Sequence, residues 1–218
     1  MIQWNNVETV LLDMDGTLLD LHFDNYFWLT YIPQVFAEKN QLEIEYTQQY
    51  LGEKFDKKRG SLDWYCLDYW SEQLDLPIAQ LKRDIQHKIS FRPLALEFLE
   101  YLKKLNKQVF LATNAHPTTL EIKVLNTQFH HHFDGLYTSH EFGAPKEQQK
   151  FWQKFQDKIG FNKTNTLFID DSISVLNSAK QFGIGHLLGI AKPDSQKPSQ
   201  TMLPFDVLDS FSQIMGET

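Results

Sequence analysis

Two aspartates one residue apart, Asp13 and Asp15, close the apolar run Val10-Leu11-Leu12 and are followed at once by Gly16 and Thr17. A carboxylate at the end of a strand can attack phosphorus and carry the phosphoryl group as an acyl phosphate, which water then cleaves. A second carboxylate two residues on can protonate the leaving oxygen and later take the proton of the attacking water. An Asp-Gly turn that merely ends a strand would show the same letters. That reading loses ground because three further segments carry matching groups.

Phe110-Leu111-Ala112 runs into Thr113 and Asn114, whose hydroxyl and amides suit the oxygens of a phosphate. Lys146 follows Gly143-Ala144-Pro145 and precedes a helical pattern, so it sets a point charge near a helix N-terminus, where anions are favoured. Thr166-Leu167-Phe168-Ile169 ends in Asp170 and Asp171. Adjacent carboxylates repel unless a cation sits between them and other acids. With Asp13 they offer the hard oxygen ligands that Mg²⁺ prefers. Mg²⁺ and Lys146 together would balance three carboxylates beside a phosphate dianion.

Short apolar runs at Val7 to Asp13, Gln108 to Asn114, Gly135 to Ser139, Asn165 to Asp171 and His186 to Ile190 must position these groups. Between them lie helical spacings at Leu94 to Leu105, Gln149 to Ile159 and Ile173 to Phe182, the last stopped by Gly183. The alternation predicts an α/β fold, a Rossmann-like, doubly wound parallel sheet whose strand ends form the ligand crevice. Leu21 to Phe91 is aromatic, helical in pattern and poor in β-branched runs, and Arg92-Pro93 marks the return to the sheet. The expected division is a core of 1–20 and 92–218 with a helical cap of 21–91 inserted after the first strand. The polar, proline-containing stretch after Lys192 reads as a surface loop before a short final helix, without assignable chemistry.

A chain of 218 residues, 42% of them hydrophobic, buries a full core. The net charge of -7 argues against a nucleic-acid polymer, which needs clustered Lys and Arg, but leaves a small anion held through a metal. No apolar run approaches the roughly 20 residues of a membrane span, and Met1-Ile2-Gln3-Trp4 lacks the basic start of a secretory signal, so the cytoplasm is expected and no membrane partner. Cys66 is the single cysteine, read as a small apolar residue packed in a helix; an intrachain disulfide is ruled out. Nothing bears on the oligomeric state.

The ordered set Asp13-Met14-Asp15-Gly16-Thr17, Thr113-Asn114, Lys146 and Asp170-Asp171 resembles the four motifs of the haloacid dehalogenase superfamily, across the whole chain. The resemblance implies Asp13 as nucleophile and Asp15 as general acid and base. It implies Thr113 and Lys146 as the phosphate clamp, and Asp13, the Asp15 carbonyl and Asp170 as Mg²⁺ ligands. Asp171 is either a further ligand or a partner of Lys146 or of a metal-bound water. The superfamily's true dehalogenases usually lack the second aspartate, so Asp15 and the Asp170-Asp171 pair point to phosphoryl chemistry. Gly16, Thr17, Asp24 and Asn25 join Thr113, Asn114 and Lys146 as expected substrate contacts.

A closer resemblance, carried by LLDMDGTLLDLHFDNYFW, LDWYCLDYWSEQL, ATNAHP, TLFIDDS, QFGI and the late Pro193-Asp194-Ser195, is to bacterial purine 5′-nucleotidases acting on GMP and IMP. It implies a magnesium-dependent phosphomonoesterase working through an aspartyl phosphate on a small-molecule substrate. A sugar-phosphate phosphatase or phosphomutase is the alternative on the same scaffold, and a non-catalytic binding protein would have lost the nucleophile or the metal pair. Phe23, Tyr26, Phe27, Trp28, Trp64, Tyr65, Tyr69 and Trp70 could stack on a base. Such stripes more often form cap core. His130-His131-His132 reads as a solvated loop or helix end, since consecutive residues point different ways, and His116 as a residue lining the site.

Overall fold

In the computed structural model, which describes residues 2–216, six parallel strands pair in the order β3-β2-β1-β4-β5-β6. They are β1 (Thr9–Leu12), β2 (Gln108–Thr113), β3 (Gly135–Thr138), β4 (Thr166–Asp170), β5 (His186–Ile190) and β6 (Val207–Leu208). Strand β1 is central, with Leu12 opposite Leu111 on one side and Ile169 on the other. The doubly wound expectation holds, and the order reverses at β1, where such sheets bind ligands. Met1, Glu217 and Thr218, which close the expected core span, lie outside the described residues.

Alternation along the strands builds a core on each face. Val10, Leu12, Leu111 and Ile169 pack with Phe98 and Leu102 of α7 (Ala95–Lys104). Leu11, Phe110 and Phe168 pack on the other face, with Phe151 and Phe155 of α10 (Gln149–Ile159) and Leu176 of α11 (Ile173–Phe182). Successive residues of a strand point to opposite faces, so an uninterrupted apolar run is what a strand covered on both sides requires. Gly183 ends α11 at φ 99°, in the left-handed region that a glycine enters without a Cβ clash.

The chain between β1 and β2 is helical. It holds α1 (His22–Tyr26), a π-turn (Phe27–Tyr31), α2 (Ile32–Asn40), α3 (Ile44–Asp56), α4 (Leu62–Tyr65), α5 (Leu67–Leu74) and α6 (Ile78–Asp84). Its apolar stripes close a cluster around Phe23, Phe27, Leu51, Phe55, Trp70 and Leu81 that contains no residue of the sheet. The segment leaves and returns through paired backbone: the Asp20 amide donates to the Ser90 carbonyl at 2.9 Å, and the Arg92 amide to the Leu18 carbonyl at 2.8 Å. After β2 come α8 (Pro117–Thr127), and after β3 the single turn α9 (Ser139–Phe142).

Three readings of local structure differ from the sequence expectation. Cys66 lies at the junction of α4 and α5, with extended backbone (φ -86°, ψ 114°), as the N-cap of α5 rather than inside a helix. The final helix is only a 3₁₀ turn, Phe211–Gln213, preceded by the short strand β6. The stretch after Lys192 is not a simple surface loop, because Asp194 is buried and the Pro193 carbonyl accepts from the Leu21 amide at 3.0 Å. Among the described residues, no helix is long and apolar enough to cross a membrane.

Candidate active site

The carboxyl ends of β1, β2 and β4 meet around the ammonium of Lys146. Its Nζ donates to Asp13 Oδ1 and, at 2.7 Å, to Asp170 Oδ2, and all three side chains are buried. Three anchors hold the lysine there. Its amide donates to Asn114 Oδ1 at 2.9 Å, its carbonyl accepts from Trp152 Nε1 at 2.8 Å, and its ammonium lies 5.6 Å from the centre of the Phe168 ring. Burial lifts the Asp13 carboxyl to about 6 even though Lys146 pulls it down. Against the desolvation cost, Asp13 and Asp170 hold Lys146 firmly protonated.

Asp15 belongs to a second buried ion cluster. Lys123 of α8 donates to Asp15 Oδ1 and to Asp24 Oδ2, and Lys82 of α6 donates to Asp24 Oδ1 at 2.5 Å. Both lysines are almost wholly buried. Burial raises Asp15 to about 6 against the pull of Lys123. Asp24 also loses solvation, but its two lysines outweigh that loss and bring it down to about 2. Both carboxylate oxygens of Asp24 are therefore committed to lysines. Asn25 donates to Asp194 Oδ2 at 2.7 Å. Both expected substrate contacts line the cavity while bound to other side chains.

Asp171 differs from its neighbour. Asp170 takes Lys146 on one oxygen and the Ser172 amide, at 2.8 Å, on the other. The Asp171 carboxylate has no hydrogen bond or ion pair among the described residues, so it does not hold Lys146. Burial, then Asp170 and Asp13, push its carboxyl well above the usual range. One ammonium serves Asp13 and Asp170, so ionising Asp171 as well leaves negative charge unmatched beside hard oxygen donors. A divalent cation fits that arrangement.

Gly16 shows why the turn after Asp15 must be tight. It sits at φ 86°, and a Cβ there would lie 2.5 Å from Asp171 Oδ2. Its amide closes the turn onto the Leu19 carbonyl at 2.8 Å. Thr17 is buried, its carbonyl accepts from Arg92 at 3.0 Å, and its hydroxyl has no partner among the described residues. Neither Gly16 nor Thr17 is among the residues that line the cavity.

The cavity of about 370 Å³ falls within the ~300–1,000 Å³ of small-molecule sites. Its floor is Asp13, Asp15, Thr113, Asn114, Lys146 and Asp170, and Trp28, Phe55, Trp64 and Tyr65 stand over it from the helical segment. Thr113 Oγ1 accepts the Ala115 amide at 3.0 Å, which keeps its proton free to donate. The Asn114 amide is not free, since it donates to Glu147 Oε2 at 3.0 Å while Tyr65 donates to Glu147 Oε1 at 2.7 Å. Trp70, Phe23 and Phe27 are buried packing, whereas Trp28 and Trp64 are half-buried on the cavity wall. His116 lines the cavity as expected. His130–His132 form a 3₁₀ turn away from it, where His130 and His132 are half-buried rather than solvated.

Lys123, Lys82 and Glu147 were not among the expected site residues. A signal for the two lysines does exist. In α8, Thr119, Ile122 and Lys123 form the buried face, and in α6 it is Ile78, Leu81 and Lys82. Each lysine takes the i+4 place of an apolar stripe, where a charge survives only with a buried partner.

The family description "haloacid dehalogenase-like hydrolase" matches residues 7–183. The chain is 45% identical over 194 residues to the GMP/IMP nucleotidase YrfG of Escherichia coli, covering 89% of this chain and 87% of that one. In fold it is similar to a HAD phosphatase of Thermococcus onnurineus, with TM-score 0.76 and 20% identity over 92% of this chain and 93% of that one. It is also similar to the putative HAD-hydrolase YfnB of Bacillus subtilis, solved with magnesium, with TM-score 0.69 and 16% identity over 95% and 96%. Sequence and fold agree on one conclusion, that this chain is an enzyme of the haloacid dehalogenase-like hydrolase family.

Proposed function

We propose that the protein is a magnesium-dependent phosphomonoesterase that hydrolyses purine 5′-nucleotides, GMP and IMP, to nucleoside and phosphate. The observation that carries the reading is the placing of Asp13, held by the ammonium of Lys146 that it shares with Asp170, and Asp15, held by Lys123, on the floor of one cavity. The purine preference is supported by the 45% identity to a GMP/IMP nucleotidase over most of both chains. Residues 21–91 act as a cap over a core of 1–20 and 92–218, and Trp28, Trp64 and Tyr65 place aromatic faces where a base can stack.

An Asp13 carboxylate oxygen attacks phosphorus as the bond to the nucleoside 5′ oxygen breaks, and Asp15 gives that oxygen its proton. Water then attacks the phosphorus of the aspartyl phosphate and loses its proton to Asp15, which frees Asp13 and inorganic phosphate. Lys146 and Thr113 hold the non-bridging oxygens, whose charge changes most in the transition state. Asp13, the Asp15 carbonyl, Asp170 and Asp171 are the groups to hold Mg²⁺, which would neutralise phosphate charge beside the carboxylates. Gly16 and Thr17 serve the substrate through the turn they shape. The absence of any long apolar helix among the described residues is in keeping with a cytoplasmic site of action.

The test is phosphate release from GMP, IMP, AMP, pyrimidine nucleotides and sugar phosphates, with Mg²⁺ and with EDTA, for wild type and Asp13→Asn. Turnover of GMP and IMP that needs Mg²⁺ and falls by on the order of 10³ or more in Asp13→Asn supports the reading. A preference for sugar phosphates would overturn the substrate, and undiminished turnover by the mutant would overturn the mechanism.

A further inference from the structure

Beside the catalytic cavity, three segments distant in sequence bring together a second set of ligand atoms. Cys66 joins α4 to α5, His116 caps α8 at the end of β2, and His140 lies in α9 after β3. One donor atom from each lies within 4.8 Å of the other two. Among the described residues, neither ring nitrogen of His140 has a hydrogen-bond partner, although both are out of solvent. A ring placed so leaves its polar atoms unmatched unless something else occupies the space between.

The surrounding contacts suit a cation. Cys66 Sγ is held by the Tyr69 amide at 3.4 Å, and the two imidazoles meet edge to face at 4.9 Å. Burial keeps both imidazoles neutral, His140 down to about 4, as metal ligation requires. Asp68 Oδ2 stands 3.7 Å from His116 Nε2. His116 Nδ1 accepts the Thr118 amide at 3.3 Å, a long bond that a metal on either ring nitrogen must replace. A metal on Nδ1 leaves the Nε2 proton facing Asp68, the usual support for a ligating histidine, and a metal on Nε2 brings Asp68 next to the ion.

We propose that Cys66, His116 and His140 form a binding site for a thiolate-preferring divalent cation, best filled by Zn²⁺, which pins the helical segment to the sheet beside the catalytic cavity. One sulfur and two imidazoles suit Zn²⁺, whereas the all-carboxylate set of Asp13, Asp170 and Asp171 suits Mg²⁺, so the two sites sort the two ions. Tetrahedral Zn²⁺ needs its ligand atoms about 3.3–3.6 Å apart, a contraction within reach of side-chain rotation. Binding releases the thiol proton to solvent. Cys66 lies between cavity-lining Tyr65 and Leu67, so a filled site resists any opening of the helical segment.

The test uses the full chain, stripped of metal and then saturated with Mg²⁺. Co²⁺ serves as the spectroscopic probe and Zn²⁺ affinity is read by competition with a chelator. Wild type takes up one Co²⁺ with a thiolate-to-cobalt charge-transfer band, which Zn²⁺ displaces. Cys66→Ser loses the band, and Cys66→Ser and His140→Asn each weaken Zn²⁺ by about tenfold or more, while both keep the Mg²⁺-supported activity. A wild type without the band, or variants with unchanged affinity, would overturn the proposal and place the ion on the carboxylates. Should one variant fail to fold, the other decides. Because the readout is binding, the result stands whatever substrate the enzyme prefers.

Discussion

Lys123 and Asp15, 108 residues apart in sequence, form a buried ion pair, and the same ammonium reaches Asp24 at the start of the helical segment. The lysine thus fixes the side chain expected to exchange the proton and ties it to the first helix above the sheet. Lys123→Met leaves two buried carboxylates short of a cation, which costs about 3–5 kcal/mol. Chemical denaturation should show that loss, and the variant that folds should lose more in kcat than in KM. Unchanged stability and turnover would mean that the pair is incidental.

Asp24 makes a prediction in acid. Its folded carboxyl lies at about 2, below the ordinary 3.8, so its contribution to stability is full above pH 4 and is lost as pH falls through 2. Asp24→Asn lacks this titration, so the stability gap between wild type and Asp24→Asn should narrow from pH 4 to pH 2. Urea melts across that range measure it, and a constant gap would show that the two lysines do not hold Asp24 ionised.

Gly16→Ala meets two obstacles, a left-handed backbone and a Cβ 2.5 Å from Asp171 Oδ2. The expected result is a loss of about 1–3 kcal/mol and a weaker apparent affinity for Mg²⁺, since the carboxylate must move. Activity titrated against Mg²⁺ separates the two effects. A variant with wild-type stability and the same Mg²⁺ requirement would contradict the close approach.

Tyr65 donates to Glu147, whose other oxygen accepts from Asn114, so a hydrogen-bonded chain links the helical segment to the end of β2. Burial and then Glu147 push the Tyr65 hydroxyl well above its ordinary range, which keeps it a donor at any working pH. Tyr65→Phe should leave stability within about 1.5 kcal/mol, because Glu147 keeps its Asn114 partner. Its effect should appear as a higher KM for nucleotide, with kcat moved less. An unchanged KM would show that this link plays no part in holding substrate.

Removal of metal should leave a folded but inactive protein. With EDTA the melting temperature is expected to fall, because Mg²⁺ binds the folded carboxylate cluster and not the unfolded chain. Thermal melts with and without Mg²⁺ check this, and Asp171→Ala should lose most of the difference. A melting temperature blind to Mg²⁺ would remove the cluster as its site.

Apart from Lys146, which follows Gly143-Ala144-Pro145, the residues that meet on the cavity floor were legible in the sequence because each follows an apolar run. Strands covered on both faces must be continuous and apolar, so the first polar residues after Leu12, Ala112 and Ile169 fall at the sheet's carboxyl edge by topology alone. The i+4 spacing of the helical segment was legible for the same reason. What the sequence left open were choices of partner. Asp24 and Asn25 read as free polar groups near the nucleophile, yet Lys82, Lys123 and Asp194 reach them from 58 to 169 residues away. The polar tail read as surface, yet Asp194 is buried where it meets α1. Local pattern determines which element a residue joins and which face it takes. Only the packed fold decides which buried charge meets which, because that pairing depends on the placing of segments whose spacing in sequence carries no trace of it.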